Sequence, residues 1–152
     1  MHINRAADIA LRLLMLVAAR GGQHTVGELA TVLNVPVGHV AKVVQRLSRL
    51  GLLETTRGRS GGVRLVPDAL RTTVGQVVRA IDGTGEVVNC DAPPCPLRPD
   101  CRLRGALRRA QEAFLASLDA VVLDDLVAPA GRTGSLAVLP FPRAPDPTGA
   151  AP

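Results

Sequence analysis

The chain has 152 residues, room for one domain with a real core plus an appendage. Eighteen Lys and Arg against thirteen Asp and Glu leave a formal net charge of +5, and the sequence pI near 10.4 points toward a polyanionic partner. Trp and Tyr are absent and Phe occurs twice, which argues against single-stranded or RNA recognition by stacked aromatic rings and leaves duplex DNA open. The apolar run Leu13 to Ala19 is too short to span a bilayer and has no clear cleavage site, so a cytoplasmic protein without a membrane partner is expected.

The charge is uneven. Residues 1–66 carry +6 and residues 67–100 carry −2, which puts a polyanion-binding surface in the first part of the chain. A first helix is predicted from Asn4, a suitable N-cap, to about Ala19, where Gly21 and Gly22 stop it. Thr25-Val-Gly-Glu28 is a capping box that opens a short second helix ending near Leu33. Pro36 restarts the chain in a third helix that runs to about Leu50. In it Val40, Val43, Val44, Leu47 and Leu50 form an apolar face, leaving His39, Lys42, Gln45, Arg46 and Arg49 outside.

Leu52 to Thr56 and Val63 to Val66 read as two strands joined by the glycine-rich tip Arg57-Gly-Arg-Ser-Gly-Gly62. A second capping box, Thr73-Val-Gly-Gln76, opens a helix ending near Gly83. Pro93, Pro94, Pro96 and Pro99 exclude regular helix from the loop that follows. A long helix is then expected from Asp100 to about Val127, with Leu103, Leu107, Ala110, Phe114, Leu118, Val121 and Val122 along one side as core or dimer seam. The last 25 residues hold six of the twelve prolines and read as a disordered tail. The expected organisation is a DNA-binding domain over 1–83, a cysteine loop over 84–100, a dimerisation helix over 101–127 and a tail over 128–152.

Helix, break, basic helix, glycine stop and arginine-tipped hairpin, in that order, make a mainly α chain with a small β wing, a winged helix-turn-helix. The third helix would enter the major groove of double-stranded promoter DNA through His39, Lys42, Gln45 and Arg46, with Arg57 and Arg59 on the wing. Cys90, Cys95 and Cys101 fall within twelve residues. Their gaps of four and five residues do not match the paired knuckles of zinc sites. They suit thiolates at separate corners of an iron–sulfur cluster, which usually needs a fourth ligand. A zinc-stabilised or thiol-switch interaction module is the rival reading. No nucleophile and base are arranged for catalysis, so an enzyme is not expected.

The segments Asn4 to Arg12, His39 to Gly51, Arg57 to Gly62 and the three-cysteine loop resemble the bacterial winged-helix iron–sulfur regulators, a family that includes NsrR, IscR and RirA. The resemblance spans about residues 1–127, and the run Cys95-Pro-Leu-Arg98 through Cys101 to Leu107 is most similar to the nitric-oxide-sensing NsrR branch. It implies a homodimeric repressor holding a [4Fe-4S] cluster on Cys90, Cys95, Cys101 and Asp8 of the other subunit, released from DNA by nitric oxide. Without the resemblance, Asp8 reads as a first-turn carboxylate paired with Arg12. The histidine that IscR-type proteins place three residues after the last cysteine is Arg104 here, which speaks against a [2Fe-2S] cluster held that way. The family usually separates its first two cysteines by five residues and this chain by four, so iron or iron–sulfur status stays an alternative signal.

Overall fold

The first helix begins where a side chain can satisfy its free amides. The Asn4 side chain accepts hydrogen bonds from the amides of Ala6 and Ala7 at 2.8 and 3.0 Å. In the computed structural model, which describes residues 3–58 and 61–127, this opens α1 (Arg5–Arg20), closed by Gly21 at φ +63°. Both predicted capping boxes form, at Thr25/Glu28 before α2 (Val26–Leu33) and at Thr73/Gln76 before α4 (Val74–Asp82). Asn34 adopts the left-handed conformation at φ +52° and lets the chain turn sharply into α3 (Val37–Arg49).

Strands β1 (Leu53–Thr56) and β2 (Gly62–Leu65) pair antiparallel, from Leu53 opposite Leu65 to Thr56 opposite Gly62. His24 adds a single bridge to the outer side of β2: its N–H donates to the Val63 carbonyl at 2.9 Å, and its carbonyl accepts the Val63 N–H at 2.7 Å. Gly62 is required beside this bridge, because a β-carbon there would lie 2.9 Å from the His24 carbonyl oxygen. The wing is thereby tied to the loop between α1 and α2.

The core is built around α1, whose Ala7, Ala10, Leu13 and Leu14 are essentially inaccessible to solvent. Against it pack Leu29 of α2, Val40 and Leu47 of α3, Val63 of β2 and Val77 and Ile81 of α4. Leu50, assigned by periodicity to this face, is instead 42% exposed. It lies just past the end of α3, where the chain has already begun the turn through Gly51.

The long carboxy-terminal helix is two helices, α5 (Arg102–Asp119) and α6 (Leu123–Val127). Residues 120–122 lie between the two helices, and this joint bonds the start of α4: Val74 N–H donates to Val121 O and Leu123 N–H to Thr72 O. Residues 128–152, expected to be a tail, lie outside the described residues. Asp119 fastens the joint, accepting from Arg79 Nη1 and Nη2 at 2.5 and 2.6 Å. Gly75 makes room for it, since a β-carbon at 75 would run into the Asp119 carboxylate and lie 3.0 Å from its backbone nitrogen.

Gly75→Ala is therefore expected to destabilise the fold by about 1–3 kcal/mol, the usual cost of overpacking, read as a lower urea midpoint; an unchanged midpoint contradicts this packing. Hydrogen bonds from Arg79 hold the Asp119 carboxyl below the usual aspartate range. A lowered folded-state value stabilises above the unfolded value, and that contribution is lost as pH falls through the folded value. Asp119→Asn should thus narrow the difference in stability between neutral pH and pH below about 4, measured by urea unfolding at each pH.

Candidate nucleic-acid interface and metal centre

The α2–turn–α3 pair presents a polar face. Val40, Val43, Val44 and Leu47 are buried, and His39, Lys42, Gln45, Arg46 and Arg49 are exposed. Arg57 is exposed at the start of the wing tip, while Arg59 lies outside the described residues. Arg64 is matched within the wing, where its Nε donates to Glu54 across the strands at 2.7 Å.

Arg46 differs from its neighbours. Its Nη2 donates to the carbonyl oxygen of Ala80, in the last turn of α4, at 2.8 Å. Periodicity placed Arg46 on the outward face of α3 but carried no sign of a partner 34 residues away.

The cysteines are all free thiols. Cys95 N–H donates to the Cys90 carbonyl at 3.0 Å, so the four-residue gap between them is closed by the loop's own backbone. Cys101 is the N-cap of α5 and its Sγ accepts from the Arg104 N–H at 3.4 Å. Cys90 is 9% exposed, and the other two are half-buried. Beside Cys101 lies an open pocket of about 280 Å³ lined by Glu86, Arg98, Asp100, Arg102 and Arg104.

Ion pairs shape this region. Arg104 chelates Glu86 through Nε, at 2.8 Å, and Nη2. These hydrogen bonds hold the Glu86 carboxyl below the ordinary glutamate range. Arg98 pairs with Asp91 at 2.7 Å. Glu86 was not singled out by sequence reasoning; an acidic residue 18 positions before an arginine gives no periodic signal.

Asp8 is half-buried in the first turn of α1 and accepts from Arg12 Nε at 2.8 Å. Among the described residues no three His, Cys, Asp or Glu side chains converge on a point where one metal ion could be held. The thiols instead sit at three separate local features, the buried start of the loop, its turn and the cap of α5. In donor type they fit iron, as three soft sulfur donors on and beside a loop whose one buried residue between 83 and 100 is Cys90.

Residues 3–129 match the Rrf2 family, described as an iron-dependent transcriptional regulator. The chain belongs to the Rrf2 family. It is accordingly a DNA-binding transcriptional regulator and not an enzyme. It is 48% identical over 132 residues to the HTH-type transcriptional repressor NsrR of Streptomyces coelicolor, covering 84% of this chain and 89% of the relative. It is 37% identical over 132 residues to the HTH-type transcriptional regulator NsrR of Geobacillus kaustophilus, covering 84% and 90%. The fold is that of solved Rrf2-type structures. Oxidised CymR of Staphylococcus aureus superposes at a TM-score of 0.66 with 23% identity, covering 86% of this chain and 99% of that one. T. potens IscR superposes at 0.66 with 14% identity, covering 89% and 93%. The winged-helix expectation is thus met, and no helix among the described residues is long and apolar enough to cross a membrane.

The burial order of the thiols is directly measurable in this Rrf2 protein. In native protein stripped of metal, Cys95 and Cys101 should alkylate before Cys90, followed by mass spectrometry of the labelled peptides. Labelling of Cys90 first contradicts the placement of the loop.

Proposed function

We propose that this Rrf2 protein is a nitric-oxide-responsive repressor that binds promoter DNA as a homodimer carrying one [4Fe-4S] cluster per subunit. The observation that carries the reading is the set of three free thiols between the end of α4 and the start of α5, in a chain 48% identical to a repressor named NsrR. Cys90, Cys95 and Cys101 would hold the cluster, with Asp8 of the second subunit as fourth ligand. When bound, the cluster supplies iron that nitric oxide can nitrosylate.

The second subunit is supported by α5, none of whose residues is buried in the single chain. Leu97 and Leu103, which flank Cys101, are 70% and 64% exposed. An apolar seam of this kind is what a partner helix covers. Arg104 is engaged with Glu86 and is no ligand, which favours an oxygen donor at the fourth position over the histidine-held [2Fe-2S] alternative. Asp8 would exchange its bond to Arg12 for iron. That exposed i,i+4 pair is worth only about 0.3–0.5 kcal/mol, so little opposes the exchange.

On DNA, His39, Lys42 and Gln45 would face the major groove and Arg57 and Arg59 the backbone or minor groove beside it, with the two α3 helices about 34 Å apart. Thiol ligation would fix the shape of residues 83–100, where Cys90 is the one buried residue, and loss of that ligation would release it. A second signal, iron or iron–sulfur status, is favoured by the four-residue gap between Cys90 and Cys95, one residue shorter than the resembled family usually has.

Anaerobically purified protein is expected to contain about four iron and four sulfide per chain and to be brown; colourless protein with bound zinc contradicts the reading. Asp8→Ala should alter the cluster spectrum and the nitric-oxide response while leaving the urea midpoint near that of the parent, and an unaltered spectrum and response removes Asp8 as a ligand. Operator affinity should fall with salt by roughly 0.9 log units per log unit for each neutralised phosphate. Lys42→Ala should lower that slope by about one such step, and an unchanged slope removes Lys42 from the phosphate-contacting set.

A further inference from the structure

We infer that Arg46 is a positioning residue that transmits the state of the cysteine loop to the recognition helix, acting through the last turn of α4 and not through a phosphate of the DNA. This rests on the cluster-dependent DNA binding proposed above. Helix α4 ends at Asp82, so the Ala80 carbonyl has no amide four residues on within the helix. The Arg46 guanidinium fills that place at 2.8 Å, a C-terminal cap supplied by another helix with the charge the helix dipole favours.

The capped turn leads straight into the sensor segment. Two residues beyond Ala80, the Asp82 carboxylate accepts the Asn4 N–H at 3.1 Å, which ties the same turn to the start of α1, four residues before Asp8. Gly83, at φ +80°, then turns the chain toward the cysteines. Gly85 O accepts from Gln111 Nε2 at 2.9 Å and Glu86 from Arg104, so the first residues of the segment are held by α5 next to Cys101. A continuous series of hydrogen bonds and main chain therefore runs from the cap of α5, through residues 85–86 and the end of α4, to the middle of α3.

Beyond the hold of α5 on residues 85–86, the segment is restrained by exposed contacts, the Asn89 turn and the Arg98–Asp91 pair. Cys90 is its one buried side chain, so its conformation responds to whatever holds the thiols. When it relaxes, the Ala80 turn to which it is joined can shift, and Arg46 passes the shift to α3. The inner face of α3 is anchored by Val43, Val44 and Leu47, so a pull at Arg46 changes the tilt of its outer face. An element with two arrangements, each favoured by one state of the thiols, is what coupling between distant sites requires.

The test compares operator affinity of holo and apo protein for the parent, Arg46→Met and Arg46→Lys, each over a salt series. Methionine keeps the stem and removes the donor and the charge; lysine keeps both. The expected result is that Arg46→Met retains the cluster absorbance and the salt slope but shrinks the holo-to-apo affinity ratio about fivefold or more, the lower end of ordinary coupling. Arg46→Lys should recover the ratio. If Arg46→Met instead lowers the slope by about 0.9 and weakens both forms equally, Arg46 is a phosphate contact and the inference is overturned. A large parental ratio that Arg46→Met leaves unchanged, with the slope also unchanged, overturns it as well. A parental ratio of one overturns the cluster-dependent reading and the coupling built on it.

Discussion

Everything else in the molecule is arranged around the burial of one face of α1. Ala7, Ala10, Leu13, Leu14 and Val17 are nearly or completely removed from solvent, each contributing at roughly 25 cal/mol per Å² of apolar surface buried. The recognition helix, the wing strand β2, α4 and α6 all pack against this helix, so none of them can shift without a response from it. The same helix carries Asp8, half-buried in its first turn, and begins at Asn4, which the end of α4 holds through Asp82. The reading head and the segment that bears the cysteines are thus two sides of one core.

Charge divides along the same line. In the carboxy-terminal half three arginines are matched locally: Arg79 with Asp119, Arg98 with Asp91 and Arg104 with Glu86. Such partly exposed pairs add little stability, so their consequence is orientation. Along α3 and at the wing tip, Lys42, Arg49 and Arg57 are exposed and enter no ion pair among the described residues. That leaves positive potential concentrated where duplex DNA would dock and nearly neutral chemistry around the thiols.

The elements governed by nearest neighbours were legible in the sequence. Asn4, the two capping boxes and the glycine stop at Gly21 all act over four residues or fewer, and each stands where the pattern put it, while the strands expected over 52–56 and 63–66 form at Leu53–Thr56 and Gly62–Leu65. The features that were not legible depend on distant partners. The helix after Cys101 has a continuous apolar stripe to Val122, yet it breaks at Ala120 because Val121 and Leu123 gain backbone bonds to the 72–74 segment. Leu50 has the right spacing for the core but the helix ends one residue before it. The site divides in the same way. Three cysteines and a basic helix face can be read from residue types, whereas the engagement of Arg46 by Ala80 and of Arg104 by Glu86 is set by how elements distant in sequence pack together. Asp8 was nominated by family resemblance, and its local environment, an i,i+4 bond to Arg12, is the one its position on a helix would give without any metal.

The central claim is that occupancy of the cysteine site governs the affinity of α3 for DNA. It is tested most directly by fluorescence anisotropy of a labelled operator duplex, titrated with one anaerobic preparation before and after stepwise addition of nitric oxide, with iron and sulfide measured on the same samples. Affinity is predicted to fall in parallel with loss of the intact cluster. Equal affinity before and after complete loss of the cluster would contradict the account.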